Sequence, residues 1–203
     1  MRLLFSGIAF FITFFFSSTA FCQENNLLTK EDWNTILPAI NNSKWEEAEK
    51  ITFEILNRFK SENEMSDEAG IIRYMYIRCI AAQIGEKIYE KEEGLKKLNG
   101  FEGKNIITPP IMFKAKGMFN YFSLPSEGDA QVWRQCCTNK NATVLYSFEA
   151  YEPKDISLIK DSNKYEGKYL RLSAVIKEIN VGGSAMPRLD IVFKDMVIVE
   201  ILK

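Results

Sequence analysis

An α+β fold is predicted by three features of this 203-residue chain: helical apolar spacing in the first half, runs of β-branched and aromatic residues in the second, and a Pro109-Pro110 junction between them. The expected boundaries are a leader over 1–22, a helical region over 23–103 and an antiparallel β domain over 104–203. The β domain is expected to be a small barrel or sandwich with one short helix. The charge balance divides at the same place, with 11 Lys+Arg against 16 Asp+Glu from Gln23 to Gly103, and 14 against 11 from Lys104 to Lys203.

The leader begins with Arg2, the only charge before Glu24, followed by an apolar run from Leu3 to Phe16 and the small residues Ser17, Ser18, Thr19 and Ala20. A positive start, a short apolar stretch and a small-residue exit describe a secretory signal. Ala20 and Cys22 fit the two small-residue subsites of a signal peptidase, so the cut is expected after Cys22, with Gln23 as the mature N-terminus. The alternative is cleavage before Cys22 with lipid attached to that cysteine; Phe21 is large for that reaction. The run is shorter than the ~20 residues a membrane span needs. The protein is therefore expected to be exported, periplasmic or secreted, with no stable membrane insertion after cleavage.

Helical signals start at Thr29, where Thr29-Lys30-Glu31-Asp32 places a capping residue before acidic first-turn residues. Trp33, Ile36, Leu37 and Ile40 then fall on one helix face, with Pro38 expected to kink or end the helix. Ser43-Lys44-Trp45-Glu46 reads as a capping box for a second helix, whose buried stripe is Trp45, Ala48, Thr52, Ile55, Leu56 and Phe59. A third helix from about Asp67 carries Ile71, Ile72, Met75, Ile80 and Ile84. A fourth carries Ile88, Tyr89, Leu95 and Leu98 and ends by Asn99-Gly100.

Two of these stretches resemble the second helix of a tetratricopeptide repeat: Asn42-Ser-Lys-Trp45-Glu-Glu-Ala48 with Ile55-Leu56, and Gly85-Glu-Lys-Ile-Tyr89-Glu-Lys-Glu-Glu-Gly94-Leu95. The resemblance covers about 75 residues and implies paired antiparallel helices. It also implies a groove that holds a protein or peptide partner.

In the second half, 105–110 reads as an extended linker. Strands are predicted over 111–116, 118–124, 132–138, 142–151, 169–179, 188–194 and 196–202. Asn139-Lys140-Asn141 reads as a hairpin loop, and Pro153-Lys-Asp155-Ile156 as the start of the short helix. Glu166-Gly-Lys-Tyr-Leu-Arg-Leu-Ser-Ala-Val-Ile is similar to the opening strand of OB-type barrels in exported proteins, which implies barrel closure.

Function is bounded mainly by what is missing. The chain has no histidine, which removes Ser-His and Cys-His nucleophile systems and the usual catalytic zinc sites. No phosphate loop or dinucleotide fingerprint is present, so no catalytic residue, cofactor or metal is expected. A net charge of −1 gives no global field for nucleic acid, and no nucleic-acid partner is expected. Four weaker constellations remain. Arg134 beside Cys136-Cys137 could lower a thiol pKa, against the plainer reading of buried cysteines with at most a bridge to Cys79. Asp190, Asp195 and Glu200 could converge on calcium, against a solvated edge. Trp133 and Tyr146 could stack on a sugar, against core packing. Tyr169, Arg171, Lys177, Arg188 and Lys194 could form a basic, aromatic binding face, against ordinary solvated positions. The reading as a whole is an exported, non-enzymatic protein-interaction protein. The alternative is a small-ligand or glycan-binding protein acting through the β domain.

Overall fold

The computed structural model describes residues 27–125 and 131–202. The leader and the cut between Cys22 and Gln23 lie outside them. The fold is mixed α+β. Helices α1 (Lys30–Asn41), α2 (Trp45–Leu56), α3 (Asp67–Gly85) and α4 (Lys91–Lys97) precede strands β1 (Asn105–Ile107), β2 (Ile111–Met112), β3 (Trp133–Thr138) and β4 (Leu145–Pro153). Helix α5 (Ser157–Lys160) and a 3-10 turn at Ser162–Tyr165 lead into the long hairpin of β5 (Tyr169–Gly182) and β6 (Arg188–Leu202).

Helix α1 starts as its sequence predicts. The Thr29 hydroxyl accepts from the Asp32 amide at 3.2 Å, and the Asp32 carboxylate accepts from the Thr29 amide at 2.7 Å. Pro38 sits in the last turn and the helix closes three residues later. The expected Ser43–Glu46 capping box is not formed, and Lys44 precedes α2 with no side-chain cap. Ser43 instead terminates α1: its φ is 56°, its amide donates to Ile40 and the Lys44 amide to Ala39. That is the left-handed closing motif of a helix C-terminus. A residue held there has no freedom to cap the next helix. Lys87 closes α3 in the same way, with φ 60° and bonds from Lys87 and Ile88 to Ile84 and Gln83.

Helix α3 is the centre of the molecule. Ile72, Met75 and Cys79 pack toward α1 and α2, while Tyr74, Ile77, Ala81 and Ile84 join the sheet in the largest apolar cluster. Burial on both sides explains why α3 shows apolar positions all round instead of one stripe. The helical and β halves thus share one core.

The sheet has six strands in the order β1-β5-β6-β4-β3, with β2 also on β5, and it does not close. The expected barrel or sandwich is corrected to an open single sheet covered by α3. The pairing is also not wholly antiparallel, because β4 runs parallel to β6 from Ser147↔Leu189 to Pro153↔Met196. The stretch read as a linker contains β1, whose Ile106 and Ile107 are buried. Gly70 faces it closely: a Cβ there would lie 3.3 Å from the β1 backbone, tighter than an ordinary contact, so a larger residue would push α3 and β1 apart by a few tenths of an ångström. The two strands expected over 188–202 are one, kinked at Asp195, whose φ is 55°. Residues 118–124 form no strand and instead touch the sheet through isolated bridges.

Trp45 and Tyr89, aligned by the repeat resemblance, occupy different settings. Trp45 opens the 12-residue α2, whereas Tyr89 lies ahead of the seven-residue α4. The hairpin at Asn139–Asn141 is present, its Asn139 side chain accepting from the Thr143 amide at 2.8 Å. The short helix is α5, where Asp155 accepts from the Ser157 amide at 2.8 Å.

Candidate functional site

The five residues read as a basic face share one hairpin but do not converge. Tyr169 opposes Leu202 at one end, and Arg188 opposes Gly182 at the other, roughly 40 Å away at ~3.3 Å per residue. Three of the cations face carboxylates: Arg171 lies 3.3 Å from Glu200, Lys177 2.7 Å from Glu152 and Arg188 2.9 Å from Asp190. The Arg188 guanidinium also stacks 4.4 Å over the Phe148 ring. Lys194 is exposed beside the Asp195 kink. The face is locally neutralised, and Tyr169 stays 37% exposed at its end.

The same pairs disperse the acidic trio. Asp190 is engaged by Arg188, Glu200 by Arg171, and Asp195 stands alone on the bulge. Among the described residues, no group of three or more His, Cys, Asp or Glu side chains is placed to hold a metal ion.

The cysteines follow the plainer reading, without a bridge. Cys79, Cys136 and Cys137 are all free, Cys79 among α1–α3 and the other two on β3. Burial pushes the Cys79 thiol up to about 12 and the Cys137 thiol well above its ordinary value. Cys136 is also raised, because burial and Glu149 outweigh Arg134 and Arg188. The activated thiolate suggested by Arg134 is therefore corrected. In the protein from Gln23 onward, iodoacetamide at pH 8 is expected to add slowly at Cys136 alone in the native state, and at Cys79, Cys136 and Cys137 in denaturant. Intact mass under both conditions checks this.

A buried polar cluster lies between α3 and β4 that the sequence reading missed. The fully buried Glu149 carboxylate receives Tyr151 at 2.5 Å, Ser147 at 2.7 Å, Tyr74 at 3.0 Å and the Cys137 thiol at 3.2 Å. Arg78 of α3 stands 3.9 Å away. Burial raises Tyr74 and Tyr151 well above the ordinary phenol range, so both hydroxyls keep their protons and act as donors. The local pattern pointed the other way: Tyr146, Phe148 and Ala150 alternate with Ser147 and Glu149, which reads as Glu149 facing solvent, whereas the structure buries Glu149 and leaves Phe148 39% exposed. A smaller latch joins the halves nearby, where Glu86 accepts from Tyr146 at 2.5 Å and from the Trp45 indole at 3.1 Å. Trp133 and Tyr146 are core residues, 0% and 1% exposed.

The accessible feature is the last third of β6. Strand β4 leaves β6 at Met196, so one edge of 197–202 has no strand neighbour among the described residues. The other sheet margins are covered. Segment 119–123 bridges to β3, Phe122 flanks β2 through Phe113, and α3 lies on β1 through Arg73 and Gly70. Beside the open edge lies a groove of ≈ 500 Å³ lined by Asp155, Leu158, Tyr165, Val197, Val199 and Ile201. Val197, Val199 and Ile201 are 37%, 49% and 49% exposed. In the helical half the exposed large apolar residues are Phe53 on α2, Met65 in the loop before α3 and Ile88 in the loop after it. No helix among the described residues is long and apolar enough to cross a membrane. The chain matches no protein family, no curated protein and no solved structure.

Proposed function

We propose that this is an exported, non-enzymatic interaction protein, a scaffold or adaptor, whose partner docks on the β6 edge and its groove. The observation that carries the reading is the coincidence of an open strand edge with three exposed β-branched side chains. Unpaired backbone groups and apolar surface are together what a protein partner satisfies, since an added strand uses the first and side-chain packing the second. The resemblance of 42–56 and 85–95 to tetratricopeptide half-repeats adds to the interaction reading.

The test is a photo-crosslinking residue at Val199, compared with one at Phe53 on α2, in the protein's own cell envelope. A stoichiometric protein adduct at 199, absent at 53 and lost in Val197→Lys/Ile201→Lys, is the expected result. An adduct at 53 alone moves the interface to the helices, and none at either position overturns the reading.

A further inference from the structure

A second exposed apolar feature lies in the turn over 114–121, and it is carried by observations independent of the β6 edge. Met118 is 68% exposed and Phe119 38%; they are consecutive in the turn, with Phe119 bridging Cys136 of β3. The turn is held at several points. The Gly117 amide donates to Lys114, and the Asn120 amide to Cys136. The Asn120 side chain exchanges two bonds with Thr138, at 2.9 and 3.0 Å, and takes a left-handed φ of 57°. At the base, the Ala115 amide donates to Glu166 at 2.8 Å. Gly117 is required for the tightness, because a Cβ there would meet Tyr121 Cβ at 2.9 Å. The fold thus holds an apolar pair outward instead of folding it in.

The surroundings of the tip are cationic. Lys114 lies 4.2 Å over the Tyr121 ring, Lys116 is exposed two residues from Met118, and Lys168 sits at the base, where its carbonyl accepts from Phe113. The Glu166 carboxylate reaches the turn, where it is engaged by the Ala115 amide.

We propose that this turn is a peripheral contact for an anionic lipid surface, with Met118 and Phe119 entering the headgroup–acyl boundary and Lys114 and Lys116 among the headgroups. A convex apolar tip ringed by lysines and an aromatic fits a bilayer interface, whereas a protein partner is better met by a concave or flat patch. Cationic side chains near an anionic leaflet add attraction that falls with salt. Two apolar side chains and a few lysines give weak, reversible adsorption and no insertion of the chain.

The experiment uses the protein from Gln23 onward, which retains every described residue. It is mixed with vesicles of phosphatidylcholine alone or equimolar with phosphatidylglycerol, and partition is measured by sedimentation. The expected result is binding to the anionic vesicles only, weakened by salt. Lys114→Glu/Lys116→Glu should lower the partition coefficient roughly tenfold or more, and Met118→Ser/Phe119→Ser several-fold, with melting temperatures unchanged. Met118→Trp should show a blue-shifted difference emission on binding. Equal partition into neutral vesicles, no partition into either, or anionic binding that leaves the Met118→Trp emission unmoved would each overturn the assignment. An adduct or its absence at Val199 bears on the β6 edge alone, so the two readings fail separately.

Discussion

Glu149→Ala is expected to destabilise the protein by about 3–5 kcal/mol, the range for breaking a buried charge pair by removing one partner. The carboxylate is fully buried and gathers four donors from β3, β4 and α3, with Arg78 at 3.9 Å. Alanine leaves those donors without an acceptor and Arg78 without its counter-charge. The lower end of the range is favoured, because a quarter of the Arg78 side chain reaches solvent and water can take over part of its solvation. At ~2–4 °C per kcal/mol for a domain of this size, the melting temperature should fall by roughly 6–12 °C. Glu149→Gln keeps the shape and one acceptor oxygen, so its loss should be clearly smaller. Thermal denaturation of both variants checks the pair; equal losses, or an alanine loss below ~1 kcal/mol, would mean that the cluster fills space without holding α3 to the sheet.

Trp133 should give a loss of similar size for a different reason. It is 0% exposed and packs against Phe113, with centroids 4.7 Å apart, as well as Phe122 at 6.3 Å and Tyr165 at 5.7 Å. Truncation to alanine removes the largest side chain of the β core, at a cost of about 3–5 kcal/mol. Its indole nitrogen is buried without a hydrogen-bond partner. Trp133→Phe therefore loses area but no hydrogen bond, and should cost only ~1–2 kcal/mol. Urea denaturation of the two variants separates these terms. A phenylalanine variant as unstable as the alanine one would mean that the loss does not follow the buried area removed.

The legibility of the fold differs sharply between local and distant features. The Thr29 cap, the Trp45–Phe59 stripe, the Asn139–Asn141 hairpin and the alternation of β5 are written within one or two turns of chain, and each stands where its residues indicate. The errors fall where one segment served two neighbours. Ser43 suited a cap for α2, but closing α1 claimed its backbone first. The 105–110 stretch ends in two prolines and reads as linker, yet Asn105–Ile107 pairs with Ser173–Val175, some 68 residues on, with Gly70 of α3 close against it. The candidate site was less legible still. The cations of the hairpin were visible, and Asp190 lies two residues along β6 from Arg188, but Glu200 and Glu152 reach Arg171 and Lys177 from other strands through the sheet's pairing. The open β6 edge exists only because β4 departs at Met196.

By itself the sequence determined the division into a helical and a β half, the placement of the first three helices, the burial of Cys79 and Cys137 and the absence of histidine chemistry. These depend on composition and on spacing along the chain, which a nearest-neighbour reading captures. Only the tertiary structure decided that the sheet stays open, that β4 lies parallel to β6, that Glu149 gathers four donors, and that Val197, Val199 and Ile201 remain uncovered. Each depends on which distant strand or helix takes a given edge or face. That choice is made by total burial and hydrogen-bond satisfaction over the whole core, to which no single segment holds the key.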